Sequence, residues 1–166
     1  MDLPLNPEPA DAAAGPVTVV ETEVFMARPP REVFEFVTTP ANWVRWHPAT
    51  QAVDGGAIPL VAGETVAEHI YTAGRRAVVT WRVLDCQSPT RWVIESASGE
   101  GWARITYRLI AERDGTRFHR TLEYRLQWGW WRWANRWFLA PHMRRESRRA
   151  LANLKRVLES QEATPG

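Results

Sequence analysis

From Ala103 to Leu109 the chain alternates strictly, with Ala103, Ile105, Tyr107 and Leu109 set against Arg104, Thr106 and Arg108, within a strand read over 102–112. A period of two puts the first set on one face of a strand and the second on the other. Thr116 to Leu126 repeats the pattern, with Phe118, Leu122, Tyr124 and Leu126 inside and Arg117, His119, Thr121, Glu123 and Arg125 outside. Asp114-Gly115 between them is a hairpin signal. Arg75 to Cys86 alternates as well, with Val79, Trp81 and Val83 opposite Thr80 and Arg82. Glu64–Thr72 and Arg91–Ala97 read as further strands, separated by turns at Ala73-Gly74, at Ser88-Pro89-Thr90 and over residues 98–101. The β-branched run Val17–Ala27 is the first strand, and Gln51–Val53 a short one ahead of Gly55-Gly56.

The period changes twice. After Pro29-Pro30, Val33, Phe34 and Val37 share one face of a short helix. Pro40 opens a second short helix in which Trp43 and Trp46 lie three residues apart, and Pro48 closes it. From Leu139 to Glu159, Leu139, Met143, Ala150, Leu151, Leu154 and Leu158 recur at three- and four-residue steps, while Arg144, Arg145, Arg148, Arg149 and Arg156 form the polar face. That is an amphipathic helix of about 30 Å, with Pro141 in its first turn. Strands joined by tight turns pair antiparallel, and a sheet with one apolar face needs one covering layer. The terminal helix is the element long enough to cover it. The expected architecture is α+β: six or seven curved antiparallel strands around the C-terminal helix, with two short helices after the first strand. A twisted sheet rarely contacts a helix along its whole length, so a cavity is expected between them.

Composition adds bounds. At 166 residues with 45% apolar content the chain has enough to bury for one core. Residues 17–160 read as that single domain, with Pro/Ala-rich residues 1–16 and residues 161–166 as disordered tails. The single cysteine, Cys86, leaves no internal disulfide. The N-terminus has neither the basic nor the apolar region of a signal peptide, and no apolar run is long enough to span a bilayer, so a cytoplasmic location is expected. The net charge of only +2 gives no general attraction to nucleic acid, and none is expected as a partner.

The order of elements and five stretches carry a family resemblance: ARPPREVFEFVTTPANWVRWHP (27–48), PLVAGE (59–64), VTWRVLDCQSPTRW (79–92), DGTRFHRTLEYRL (114–126) and LANLKRVLE (151–159). Together they resemble the SRPBCC superfamily, the START-like or helix-grip proteins. Within it the chain looks most like polyketide cyclase/dehydrase-like and lipid-transport-like members. The resemblance implies a cavity for apolar or polycyclic ligands and, in some relatives, cyclase or aromatase chemistry. It does not choose among them, because one fold hosts many functions.

Alternation puts Arg120 on the inner face, between Phe118 and Leu122. A guanidinium there must pair with an acid such as Glu68 or Glu95, meet a ligand's carboxylate, phosphate or enolate, or be turned out by a local bulge. Tyr107 and Tyr124 share that face and offer hydroxyls at the ends of apolar bodies, either to a ligand or to the core. Trp46 and Trp81 are candidate stacking walls or plain packing. Met143 and Ser147 lie on the stripe of the long helix, where a thioether adapts to a ligand and a hydroxyl faces a cavity or bonds back to its own helix. His47 falls at the mouth, and register puts either Glu68 or His69 inward. The spacings of His47, His69, His119 and His142 match no zinc motif. No G-x-S-x-G elbow or phosphate-cradling glycine motif occurs. Neither a metal nor a cofactor is expected.

Five of the ten tryptophans fall between Trp128 and Trp137. The Trp/Arg segment 128–138 reads either as a lid that buries its indoles over the cavity or as a patch that docks on a membrane or partner. The favoured function is binding or transport of a hydrophobic or polycyclic molecule, such as a lipid, polyketide or quinone. A cyclase/aromatase using Arg120 with Tyr107 or Tyr124 is the enzyme alternative, and peripheral membrane contact the third reading.

Overall fold

The computed structural model describes residues 16–98, 101–126 and 135–160. The expected tail at 161–166, nearly all of that at 1–16, the turn residues 99 and 100, and Trp130 and Trp133 lie outside them.

Seven strands form one antiparallel sheet in the order β1-β7-β6-β5-β4-β3-β2. They are β1 (Thr18–Met26), β2 (Thr50–Val53), β3 (Thr65–Thr72), β4 (Arg75–Gln87), β5 (Arg91–Ser98), β6 (Gly101–Glu112) and β7 (Gly115–Leu126). The alternation read from the sequence sets the faces: Phe118, Arg120, Leu122 and Tyr124 are buried, and the residues between them are partly exposed. Register shifts at Thr50/Ala52 and Val83/Asp85 bend the sheet. The β3–β4 tip is a two-residue turn, with Ala73 and Gly74 both at positive φ (49° and 78°), as a tight hairpin requires.

The two short helices fall where the prolines put them, α1 over Pro30–Thr38 and α2 over Trp43–Trp46, with a 3-10 turn Pro40–Asn42 between them. A helix leaves its last carbonyls without partners. Here Asn42 Nδ2 donates to Phe36 O at 3.1 Å and Trp43 Nε1 to Val37 O at 2.9 Å. These bonds fix the elbow. Asn153 Nδ2 then donates to Trp46 O at 3.2 Å, tying α2 to the long helix and fixing where His47 emerges.

That helix, α3, spans Ala140–Ser160 and follows a π turn over Asn135–Leu139. The stripe meets the sheet as expected: Ser147, Ala150, Leu151, Leu154 and Leu158 are buried, and Leu139 and Met143 pack against the core. Each buried leucine contributes about 1.5–3 kcal/mol. Polar ties hold both ends. Lys155 Nζ donates to Phe25 O at 2.9 Å and Arg28 Nε to Leu158 O at 3.0 Å. At the other end Thr72 Oγ1 donates to Glu146 Oε2 at 2.8 Å, fastening the β3–β4 tip to α3.

Gly115 shows how closely neighbouring strands meet. A Cβ at this position would lie 2.1 Å from Met26 O at the end of β1. Gly115→Ala must push two backbones apart, and we expect a loss of about 1–3 kcal/mol in chemical denaturation. An unchanged midpoint would mean that the β1–β7 contact yields freely.

Candidate functional site

The polar groups inside the grip are few and named: Thr50, Glu68, Arg120 and Ser147 are all under 10% exposed. Arg120 sits opposite Tyr107 on β6 and Thr22 on β1, so the register places it in the middle of three strands. Its Nη1 donates to Ser147 Oγ at 2.8 Å, and Nη2 lies 3.5 Å from His47 Nε2. Its Nε has no partner among the described residues. A guanidinium carries more donors than these contacts use. Nor does any carboxylate ion-pair with it among the described residues. Glu95, weighed above as an inner acid, is on the outer face, where Arg104 holds it at 2.7 Å. Periodicity alone could not place Glu95, because Trp92, Val93 and Ile94 are buried in a row ahead of it and leave no alternation to follow.

Glu68 is the inward member of the Glu68/His69 pair; His69 is partly exposed and contacts Asp54 at 3.2 Å. Trp81 Nε1 donates to Glu68 Oε2 at 2.7 Å, and Thr50 Oγ1 donates to Oε1. Burial raises the Glu68 pKa, while those two bonds and the Arg120 charge pull it back. His47 is held down to about 3, first by burial and then by the Arg120 cation. Tyr107 is pushed up to about 12 by burial, against the pull of Arg120. Arg120 is therefore a buried cation beside Ser147, His47 and Tyr107, and the Glu68 carboxyl feels its charge without ion-pairing to it.

The other predicted residues divide. Tyr107 is brought to Arg120, and it also stacks on Trp92 at 5.4 Å and meets Phe118 at 5.0 Å and Trp46 at 6.3 Å. Trp46 is thus part of an aromatic cluster, and Trp81 serves Glu68. Tyr124 is buried two inward positions beyond Arg120 on β7, and Met143 is half-buried on α3. Trp92, wholly buried at the centre of the cluster, was not singled out by the sequence; nor was Thr50. Trp92 stands in a short strand with three buried residues in a row, Trp92, Val93 and Ile94, which gives no alternation to follow.

Beside this cluster an open groove of about 650 Å³ lies between β1, β7 and α3, lined by Thr22, Val24, Arg120, Arg148, Leu151 and Lys155 among others. Val24, Leu151 and Ala152 give it apolar wall, Arg120 lines it from β7, and both acidic (Glu21, Glu23) and basic (Arg148, Lys155) side chains border it. Of the Trp/Arg segment, Trp137 and Phe138 are described, and they are 62% and 68% exposed. These two do not bury as a lid would. No cluster suited to a metal occurs among the described residues. No helix among them is long and apolar enough to cross a membrane.

Residues 17–159 match the family model of polyketide cyclase / dehydrase and lipid transport proteins. The chain belongs to this family. Solved structures share the family's fold. SA2116 of Staphylococcus aureus, described as a protein of unknown function, superposes with a TM-score of 0.72 at 12% identity, over 90% of this chain and 98% of that one. TTHA0849 of Thermus thermophilus gives 0.71 at 19%, over 86% and 99%. A Rhodobacter sphaeroides protein gives 0.67 at 20%, over 89% and 97%. At such identities the likeness speaks for the fold. A search of curated proteins finds no match.

Proposed function

We propose that the protein binds or carries a hydrophobic or polycyclic small molecule, of lipid, polyketide or quinone type, between the sheet and α3. One observation carries the reading: Arg120 is buried beside the groove and has no carboxylate in ion-pair contact among the described residues. A buried guanidinium with an unused donor and no direct ion pair is costly, and an oxygen-rich ligand end would satisfy it. Leu151 and Val24 supply apolar wall for the rest of the ligand. The family description, which covers both ligand transport and cyclase/dehydrase chemistry, supports an apolar ligand. Native mass spectrometry of gently purified protein tests this. A bound organic molecule released by solvent is the expected result. No bound species, together with no shift in melting temperature across a library of lipids, polyketides and quinones, would remove the proposal.

The cyclase/aromatase reading keeps one specific support. Tyr107 is directly opposite Arg120 in register, and its high pKa keeps it protonated, so a carbonyl polarised by Arg120 would have a proton donor alongside. Incubation with a poly-β-keto thioester analogue and analysis for cyclised product separates the enzyme from the carrier. The docking reading retains Trp137 and Phe138 from its segment, both of them open to solvent.

A further inference from the structure

The outward face of α3 has a chemistry that the core does not use, and of its arginines Arg148 also lines the groove. Arg144, Arg145, Arg148 and Arg149 are all exposed, and none is ion-paired among the described residues. The helix carries five arginines and one lysine against two glutamates, in a chain of net charge only +2, so the rest of the molecule is net acidic. Positive charge is concentrated here. At the N-terminal end of the same face the π turn presents Trp137 and Phe138 to solvent. Helical spacing aligns them: Phe138, Pro141, Arg145 and Arg148/Arg149 follow one another at three- and four-residue steps. Arg75 and Arg76, also exposed, flank the β3–β4 tip that Thr72 ties to α3 through Glu146.

An arginine row repels itself, and two large exposed aromatics cost hydration. Both costs are relieved on one kind of surface. Arginines reach phosphate oxygens in a headgroup layer while Trp and Phe enter the boundary with the acyl chains. We propose that the outer face of α3, from Trp137 to Arg149, docks the protein flat on an anionic lipid membrane. This end also carries the fastened β3–β4 tip, so docking would bring one end of the grip to the bilayer. A single-stranded nucleic acid also suits arginines with aromatics, but stacking needs a row of aromatic platforms. The described part of this face offers one adjoining pair at its tip, which fits an anchor in a bilayer better.

Flotation of the full chain tests the assignment, with vesicles of phosphatidylcholine alone and of phosphatidylcholine with roughly a third phosphatidylserine. Binding to the anionic vesicles and not to the neutral ones is expected, and it should weaken as salt is raised. Each arginine near such a surface is worth about fivefold in partitioning, so Arg145→Gln/Arg149→Gln should lose about twenty-five-fold. Trp137→Ser/Phe138→Ser should reduce binding further at high salt, where the apolar anchor dominates. Circular dichroism should be unchanged, because all four side chains are exposed. Absence of anionic binding, equal binding to neutral vesicles, or partitioning unaffected by both double variants would overturn the proposal. So would stronger capture by an oligothymidine competitor than by the vesicles. The outcome is independent of the interior ligand, and Arg120→Met should float like the parent.

Discussion

Arg120→Met will give a protein at least as stable as the parent that binds an acid-headed ligand ten- to about a hundredfold more weakly. The two halves have different physical sources. Arg120 is 3% exposed, with hydroxyls and a neutral imidazole for contacts and Glu68 acting on it without a direct ion pair, so its charge is only partly compensated. Replacing such a charge by an apolar side chain of similar length is commonly neutral or stabilising by about 1–4 kcal/mol. Ser147 then loses its donor, but a serine on a helix can bond back to its own turn. For the ligand, a charge-assisted hydrogen bond is worth about 1.5–3 kcal/mol, which converts to the stated range. Titration with a long-chain fatty acid and with its methyl ester, alongside melting curves, reads both halves. The acid should suffer more than the ester. Arg120→Lys should fall between, since an ammonium keeps the charge but not the planar fork. Severe destabilisation with unaltered ligand affinity would make Arg120 a structural residue and remove the anchor.

The fold was legible because its signals are local and periodic. Strict alternation in β6 and β7 set both faces correctly, and the stripe of α3 named the residues that it buries. Pro30 and Pro40 marked both short helices. The site was legible by half. Alternation alone brought Arg120 and Tyr107 inward, and the helical period brought Ser147 in to meet Arg120. What stayed hidden depends on partners far apart in the chain. Thr50 and Trp81 converge on Glu68 from β2 and β4, and no spacing in sequence encodes that meeting. His47 read as a residue of the mouth, yet the Asn153–Trp46 tie turns the end of α2 inward and sets its ring against Arg120. The groove too lies to one side of the aromatic residues proposed to line it, because Trp46, Trp92, Tyr107 and Phe118 satisfy one another first.

His47 makes acid stability the other large test. Its pKa falls from an ordinary 6.5 to about 3 in the folded chain. Below pH 6.5 the unfolded chain binds a proton that the folded chain refuses, so stability falls as acid is added, by up to about 1.4 kcal/mol per pH unit until about pH 3. The geometry gives the reason. With Nε2 facing an Arg120 N–H the ring must be the acceptor, and a proton there would place two cations 3.5 Å apart. Glu68 works in the opposite sense. Its raised pKa lets the folded chain take a proton first, so its contribution is present in acid and lost as pH rises from its ordinary 4.5 toward the folded value. The two slopes overlap, and the parent curve alone does not separate them. His47→Gln does, since it removes one titration and leaves Glu68 and the exposed histidine–carboxylate contacts in place. Urea denaturation of both proteins at pH 7, 6, 5 and 4 should show the stability difference moving in favour of the variant by roughly 1 kcal/mol or more per unit below pH 6.5. Parallel curves would mean that the folded imidazole takes its proton as readily as the unfolded one, and Arg120 would then gain a charged neighbour in acid.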